Sequence, residues 1–124
     1  MRKYICIFFL ILAVLASNAP AAEQNTSDLA AIQKLAEQGN AEAQFNLGVM
    51  YAYGHGAPKN ETRALEWFQK AADQGYVQAQ VNLGLIHYEG QGVLQDRNKA
   101  CSMWRDAGEQ GHKGAILLYN QRCI

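Results

Sequence analysis

The sequence has no cluster of basic residues. Lysine and arginine together number 11, aspartate and glutamate together also number 11, and the formal net charge is zero. Nucleic acids and anionic membrane surfaces attract proteins through concentrated positive charge, so we expect neither to be a partner of this chain.

Motifs that carry catalysis are also missing. The chain contains no Gly-x-Ser-x-Gly elbow, no phosphate-binding loop and no His-Glu-x-x-His motif. His55, His87 and His112 lack the short spacing and carboxylate neighbours of a metal site, and we interpret them as solvated or partly buried structural residues. The sequence therefore predicts no catalytic residue, no metal site and no cofactor.

Only one long apolar run is present, and it lies at the N-terminus. Residues 4–16 follow the basic residues Arg2 and Lys3 and precede small residues suited to signal peptidase. The run is shorter than the roughly 20 residues that span a bilayer. We predict a signal peptide over residues 1–22, cleaved after Ala21 or Ala22, with a single-spanning anchor as the alternative. No stable membrane insertion is expected after cleavage.

Export leaves two of the three cysteines in the mature chain. Cys6 lies inside the apolar run and would leave with the signal peptide, whereas Cys101 and Cys123 remain. In an oxidising compartment two thiols are more often paired than free.

The rest of the chain repeats itself with a step of 36 residues. Two full units cover residues 39–74 and 75–110, a half unit precedes them at residues 28–38, and another follows at residues 111–124. Residues 23–27 are expected to form a short linker. A repeat of this period is typical of stacked supersecondary units.

Each unit predicts two helices. Residues 41–53 and 77–89 contain no proline and end at a Gly-x-Gly turn, which gives the first helix. Asn60 and Asp96 are N-cap candidates for the second helix. Its buried face is predicted from spacings of three and four residues, at Ala64, Phe68 and Ala71 and at Ala100, Trp104 and Ala107. No segment alternates with a period of two, so no sheet is expected.

Gly48 and Gly84 recur inside the first helix, where glycine costs about 1 kcal/mol relative to alanine. We expect them to permit close contact with the second helix of the same unit, which presents small residues such as Ala64 and Ala71. Room for the backbone of a ligand is the alternative explanation.

The pattern resembles the Sel1-like repeat, an α/α solenoid unit related to the tetratricopeptide repeat. The first unit carries it at Ala43, Leu47, Gly48, Tyr51, Gly54, Gly56, Arg63, Ala64, Trp67, Lys70, Ala71, Ala72 and Gly75. The second unit departs at His87, and the last half unit has Tyr119 and Asn120 in place of the Leu-Gly pair. The resemblance implies an all-α fold, a short superhelical solenoid of antiparallel helix pairs, and a scaffold or adaptor role.

Solenoid packing predicts a disulfide between Cys101 and Cys123. The second helix of one unit lies antiparallel to the first helix of the next, and these cysteines stand at similar distances either side of Gly111. Two free buried thiols are the alternative.

The resemblance also suggests a partner-binding surface on the first helices. The matching positions are Phe45, Val49, Ala52, Tyr53, Val81, Leu85, Tyr88 and Glu89. These helices are apolar nearly all round, so the same residues would otherwise pack on neighbouring helices or on a second copy of the chain. Tyr53 and Tyr88 are the preferred contacts.

Two function classes remain open at this point. The first is a periplasmic or secreted interaction module of bacterial origin that binds another protein as an adaptor, scaffold or immunity-type inhibitor. The second is a cell-envelope hydrolase acting on cell-wall or β-lactam substrates, for which no nucleophile and base stand at useful spacing.

Overall fold

The computed structural model describes residues 21–124, with side chains from residue 28 onward. Residues 1–20, which hold most of the predicted signal peptide, lie outside the described residues. The described part contains six helices and no strand. They are α1 (Ala21–Glu37), α2 (Ala41–Tyr53), α3 (Glu61–Asp73), α4 (Val77–Glu89), α5 (Arg97–Glu109) and α6 (Lys113–Arg122).

Each helix packs mainly against the next helix along the chain. This order of contacts is that of a solenoid in which α2 with α3 and α4 with α5 form the two full repeats. The predicted all-α solenoid and the bounds of its first helices are confirmed. No helix between residues 21 and 124 is both long and apolar enough to cross a bilayer.

Helix α1 is longer than the sequence suggested. It begins at Ala21 and includes residues 23–27, which we expected to be a linker. That segment holds neither proline nor glycine, so nothing in its backbone chemistry ends a helix there. The buried residue of α1 is Ala36, and Leu29 and Ile32 pack beside it against the first core cluster.

The helix starts follow the predicted capping chemistry. The side chain of Asn60 accepts a hydrogen bond of 3.0 Å from the Arg63 amide, and Asp96 accepts one of 2.9 Å from the Lys99 amide. Each satisfies an amide that has no partner inside the helix. The two predicted N-caps are confirmed.

The second helices bury the predicted face. The buried residues of α3 are Ala64, Phe68 and Ala71, and those of α5 are Ala100, Trp104 and Ala107. The aromatic residue of each set also explains the glycine of the preceding helix. A Cβ built on Gly48 would lie 2.7 Å from Phe68 Cδ1, so the glycine makes room for a ring rather than for the alanines we expected.

In each repeat, a pair of glutamines joins the first helix to the end of the second helix by a side-chain hydrogen bond. Gln74 Nε2 donates to Gln44 Oε1 at 2.7 Å, and Gln110 Nε2 donates to Gln80 Oε1 at 3.1 Å. Gln44 is buried and also donates to the carbonyl of Ala36 at 3.1 Å, which joins α1 to the first repeat. The recurrence of Gln44 and Gln80 is therefore structural.

Candidate binding groove

A groove of about 420 Å³ lies between the two full repeats. We call it the α2–α4 groove, since the ends of these two helices form its sides and α3 lies beneath them. Its lining residues are Ala52, Tyr53, Lys59, Glu61, Ala64, Phe68, Asn82, Leu85, Ile86, Glu89 and Gln91. The volume falls in the range of roughly 300–1,000 Å³ that is usual for ligand sites.

The charges at the α2–α4 groove occur as two pairs of opposite sign. Lys59 Nζ lies 3.8 Å from Glu61 Oε1. Glu89 accepts a hydrogen bond of 2.6 Å from Gln91 Nε2 and lies 3.7 Å from Arg122 Nη1. The side chains of Glu61 and Glu89 are 48% and 43% exposed, and each carboxylate lies beside a cation of the chain.

Four positions predicted from the first helices line this groove. Tyr53 stands at its rim with 67% of its surface exposed, and its ring lies 6.2 Å from that of His55. Ala52, Leu85 and Glu89 complete the set. The sequence thus placed four groove residues at the C-terminal ends of the first helices, where two repeats face each other.

Three other residues that were predicted to contact a partner pack in the core instead. The ring of Phe45 packs 5.7 Å from that of Phe68 and 5.2 Å from that of Tyr76. Val49 packs against the same cluster, and Val81 is only 7% exposed. These residues occupy faces of α2 and α4 that neighbouring helices cover, as the packing alternative anticipated.

Tyr88, one of the two preferred contacts, lies outside the groove lining. Its ring packs 5.3 Å from the ring of Trp104, and the guanidinium carbons of Arg97 and Arg122 each lie 5.1 Å from its centre. The side chain is therefore held within the second repeat by stacking and cation–π contacts.

The three histidines occupy unlike environments. His87 is buried, and this burial lowers the pKa of its imidazole, with a further lowering from Lys99 and an opposing effect from Asp96. His112 is a helix cap whose Nδ1 accepts a hydrogen bond of 3.1 Å from the Ala115 amide, a role that its sequence position between repeats did not reveal. His55 is exposed beside Tyr53.

The two mature cysteines are brought together between α5 and the end of α6. Their Cα atoms lie 5.8 Å apart, a separation compatible with a disulfide bond. The pairing of Cys101 with Cys123 remains a prediction about the chemical state of the protein.

Reasoning from the first helices alone missed the other walls of the groove. Lys59 comes from the turn before the second helix and Glu61 from its first residue. Asn82 and Ile86 lie on the same face of α4 as Leu85 and Glu89, and Gln91 lies in the following turn. A comparison of the two repeats would have pointed to these positions, because the matching residues differ in charge or size: Glu61 corresponds to Arg97 and Ala52 to Tyr88.

Among residues 21–124, no group of three or more histidine, cysteine or acidic residues is arranged to hold a metal ion.

The fold and the groove define a helical-repeat protein with a cleft between adjacent repeats. The Sel1 repeat family model matches residues 41–76 and 77–112, which is more than half of the chain. The chain belongs to the Sel1 repeat family. The matched units have the predicted period but begin two residues later than the units defined from the sequence, at the first residue of α2 and of α4.

Solved structures with the same fold include proteins of two bacteria. One is a protective antigen of uropathogenic Escherichia coli strains that displays an SLR fold, with 37% identity and a TM-score of 0.71 over 73% of this chain. Another is a Sel1 repeat protein from Oxalobacter formigenes, with 32% identity and a TM-score of 0.73 over 77% of this chain. The alignments cover 20% and 39% of those proteins, so this chain corresponds to part of each. No curated protein matches it.

Proposed function

We propose that this chain is an exported, protein-binding module that holds a segment of its partner in the α2–α4 groove. Sel1 repeats commonly mediate protein–protein interaction. The observation that carries the proposal is the open groove between two repeats, lined on one side by the exposed ring of Tyr53 and on the other by Leu85. Large amphipathic residues at the edge of a cleft are frequent anchors of protein interfaces.

The lining chemistry supports binding more than hydrolysis. None of the lining residues is a serine, threonine or cysteine, the usual nucleophiles of amide and β-lactam hydrolysis. The two lining carboxylates, of the kind that glycoside hydrolases use, each lie beside a cation of the chain. Its carboxylates and apolar side chains are instead suited to hold the side chains of a peptide segment.

The N-terminal sequence and the two cysteines of the mature chain support an exported location for the protein and its partner. A basic start followed by an apolar run over residues 4–16 is typical of a secretory signal, and the placement of Cys101 beside Cys123 suits an oxidising environment. We propose a periplasmic or secreted location and a partner that is itself exported.

The test is a capture of proteins from the native cell extract, in which two double variants of the chain are compared with the wild type. Tyr53→Ala with Leu85→Ala removes two apolar side chains from the groove, and Leu94→Ala with Leu117→Ala removes two that are 92% and 57% exposed elsewhere. Captured proteins are quantified by mass spectrometry, and circular dichroism verifies that both variants are folded. If the groove variant is not folded, Tyr53→Ala alone replaces it.

We expect a protein that is enriched by the wild type and by the control variant and lost with the groove variant. Equal enrichment of every captured protein by the groove variant and the wild type would contradict the proposal.

A further inference from the structure

Most of the exposed large apolar side chains lie at the two ends of the solenoid. Among residues 28–124, six such side chains are exposed, and four of them belong to α1, to α6 or to the last residue after α6. The outermost helices of a solenoid ordinarily turn a polar face to the solvent. Both ends of this chain depart from that rule, at Leu35 on α1 and at Ile116, Leu117 and Ile124.

Helix α1 has the position of a second helix, and its exposed face is the one that a first helix covers in the full repeats. Leu35 lies 36 residues before Ala71, which is completely buried, yet Leu35 is 49% exposed. Ala71 shares its helix face with Phe68, whose ring packs against Gly48 of the first helix of the same repeat. Among the described residues, no first helix precedes α1 to cover Leu35 in this way.

Helix α6 has the converse position, that of a first helix. Leu117 and Ile124 correspond to Val81 and Tyr88 of the second repeat. There the carbonyl of Val81 accepts a hydrogen bond of 3.2 Å from Trp104 Nε1, and the ring of Tyr88 lies 5.3 Å from that of Trp104. Trp104 belongs to α5, the second helix of that repeat. No second helix follows α6 up to residue 124, and Leu117 is 57% exposed where Val81 is 7% exposed.

The residues at the closest contact between first and second helices differ together in the half units. In the full repeats a glycine of the first helix meets an aromatic ring, Phe68 or Trp104. The corresponding residues of the half units are Asn120 on α6 and Ile32 on α1. A side chain on the first helix requires a smaller residue on the second, and isoleucine is smaller than either aromatic residue. The two end faces therefore match each other in size as well as in position.

We infer that α6 of one copy of this chain packs on α1 of a second copy, so that the two half units together complete a repeat. The contact continues between copies the interface that joins α2 to α3 and α4 to α5 within each copy. It is a head-to-tail contact, which builds a row of copies or closes into a ring. The surface is separate from the α2–α4 groove and does not depend on the proposed function.

The contact between two such helices is small, so the association is weak. An interface of one helix pair falls below the roughly 1,200 Å² that stable complexes bury, and we expect a dissociation constant of about 10–100 µM. Capture and crosslinking from an extract use about 1 µM of the chain or less, where the copies are separate. Leu117 thus remains outside any contact under those conditions.

The test is sedimentation equilibrium of the purified chain from about 5 µM to about 500 µM. We expect the mean mass of the wild type to rise with concentration. Leu35→Glu and Leu117→Glu should each stay monomeric, because each places a charge on one of the two faces. Leu94→Glu, a matched change at a loop position 92% exposed, should associate as the wild type does. Circular dichroism verifies the folding of all variants, and Leu35→Gln replaces Leu35→Glu if that variant is not folded.

An equal mixture of the Leu35→Glu and Leu117→Glu proteins distinguishes this contact from a symmetric one. The first protein keeps an intact α6 face and the second an intact α1 face, so the mixture should form a dimer of one copy of each. Its mass should approach twice that of one copy at high concentration and rise no further.

A wild type that stays monomeric up to about 500 µM overturns the inference. So does association that only one of the two glutamate variants abolishes, since a symmetric contact uses a single face, and so does a mixture that stays monomeric. All these variants keep Tyr53 and Leu85, so none of these results bears on partner capture by the α2–α4 groove.

Discussion

The indole ring of Trp104 lies against the backbone of Gly84. A Cβ at Gly84 would stand 2.8 Å from Trp104 Cδ1, closer than such atoms approach one another. The ring cannot move aside easily, since Trp104 is fully buried and its Nε1 donates a hydrogen bond of 3.2 Å to the carbonyl of Val81. Gly84 is therefore required by the size of the residue that packs on it.

Gly84→Ala should destabilise the protein. The added methyl forces the fully buried indole out of its place, which costs about 2–3 kcal/mol, the upper part of the range for overpacking, partly offset by about 1 kcal/mol of helix propensity. We expect a net loss of about 1–2 kcal/mol in the free energy of unfolding, measured by urea denaturation.

Gly108→Ala is the matched control. A Cβ there would lie 2.9 Å from Ile116 Cγ1, but Ile116 is 44% exposed and its side chain can turn away. This variant should be unchanged or more stable by up to about 1 kcal/mol. A Gly84→Ala protein as stable as the wild type would contradict the packing account.

Removal of either side-chain cap should cost stability. Asn60→Ala and Asp96→Ala each leave a helix amide without its acceptor, and we expect a loss of about 1 kcal/mol in unfolding free energy for each. Asp106→Ala, which removes only an exposed ion pair with Arg105, should change it by less than about 0.5 kcal/mol. Thermal denaturation of the three variants gives the comparison, and equal values would contradict the capping role.

Pairing of Cys101 with Cys123 should stabilise the C-terminal end of the solenoid. The bond would close a loop with a sequence separation of 22 residues, for which the chain-entropy estimate is about 3 kcal/mol. Intact mass before and after reduction and alkylation measures the pairing, and thermal denaturation with and without reductant measures its effect. Full alkylation of both thiols without reductant would contradict it.

Acidification should destabilise the protein through His87. Because the pKa of the folded imidazole lies below the ordinary value of 6.5, the unfolded chain binds the proton more readily. The stability gained from a neutral His87 is thus complete above pH 6.5 and is lost as the pH falls below it towards the folded pKa.

The check is the melting temperature from about pH 7.5 to pH 5.5, for the wild type and for His87→Tyr, which restores the tyrosine found at the matching position 51. We expect the wild type to lose more stability over this range than the variant. Identical pH profiles would show that His87 does not titrate with folding.

The 36-residue step was enough to predict the helices of the two full units, the caps Asn60 and Asp96 and the buried faces at Phe68 and Trp104, because each follows from residues within one unit. The groove was predicted only in part. Tyr88 and Phe45 are large apolar residues on first helices, like Tyr53, yet neighbouring side chains from other helices cover them. Whether a first-helix position is open depends on its contacts with other helices, which the sequence of one helix does not reveal. Ala52 and Tyr88 occupy the same position in successive repeats, yet they differ in this respect.

A partner protein that lies in the α2–α4 groove should be captured by site-specific photo-crosslinking in the native cell extract. A benzoylphenylalanine side chain would replace Tyr53 in the groove, or Leu94 or Leu117 outside it. We predict a covalent adduct with one partner from position 53 and none from positions 94 and 117. An adduct from position 94 or 117 with none from position 53 would contradict the claim.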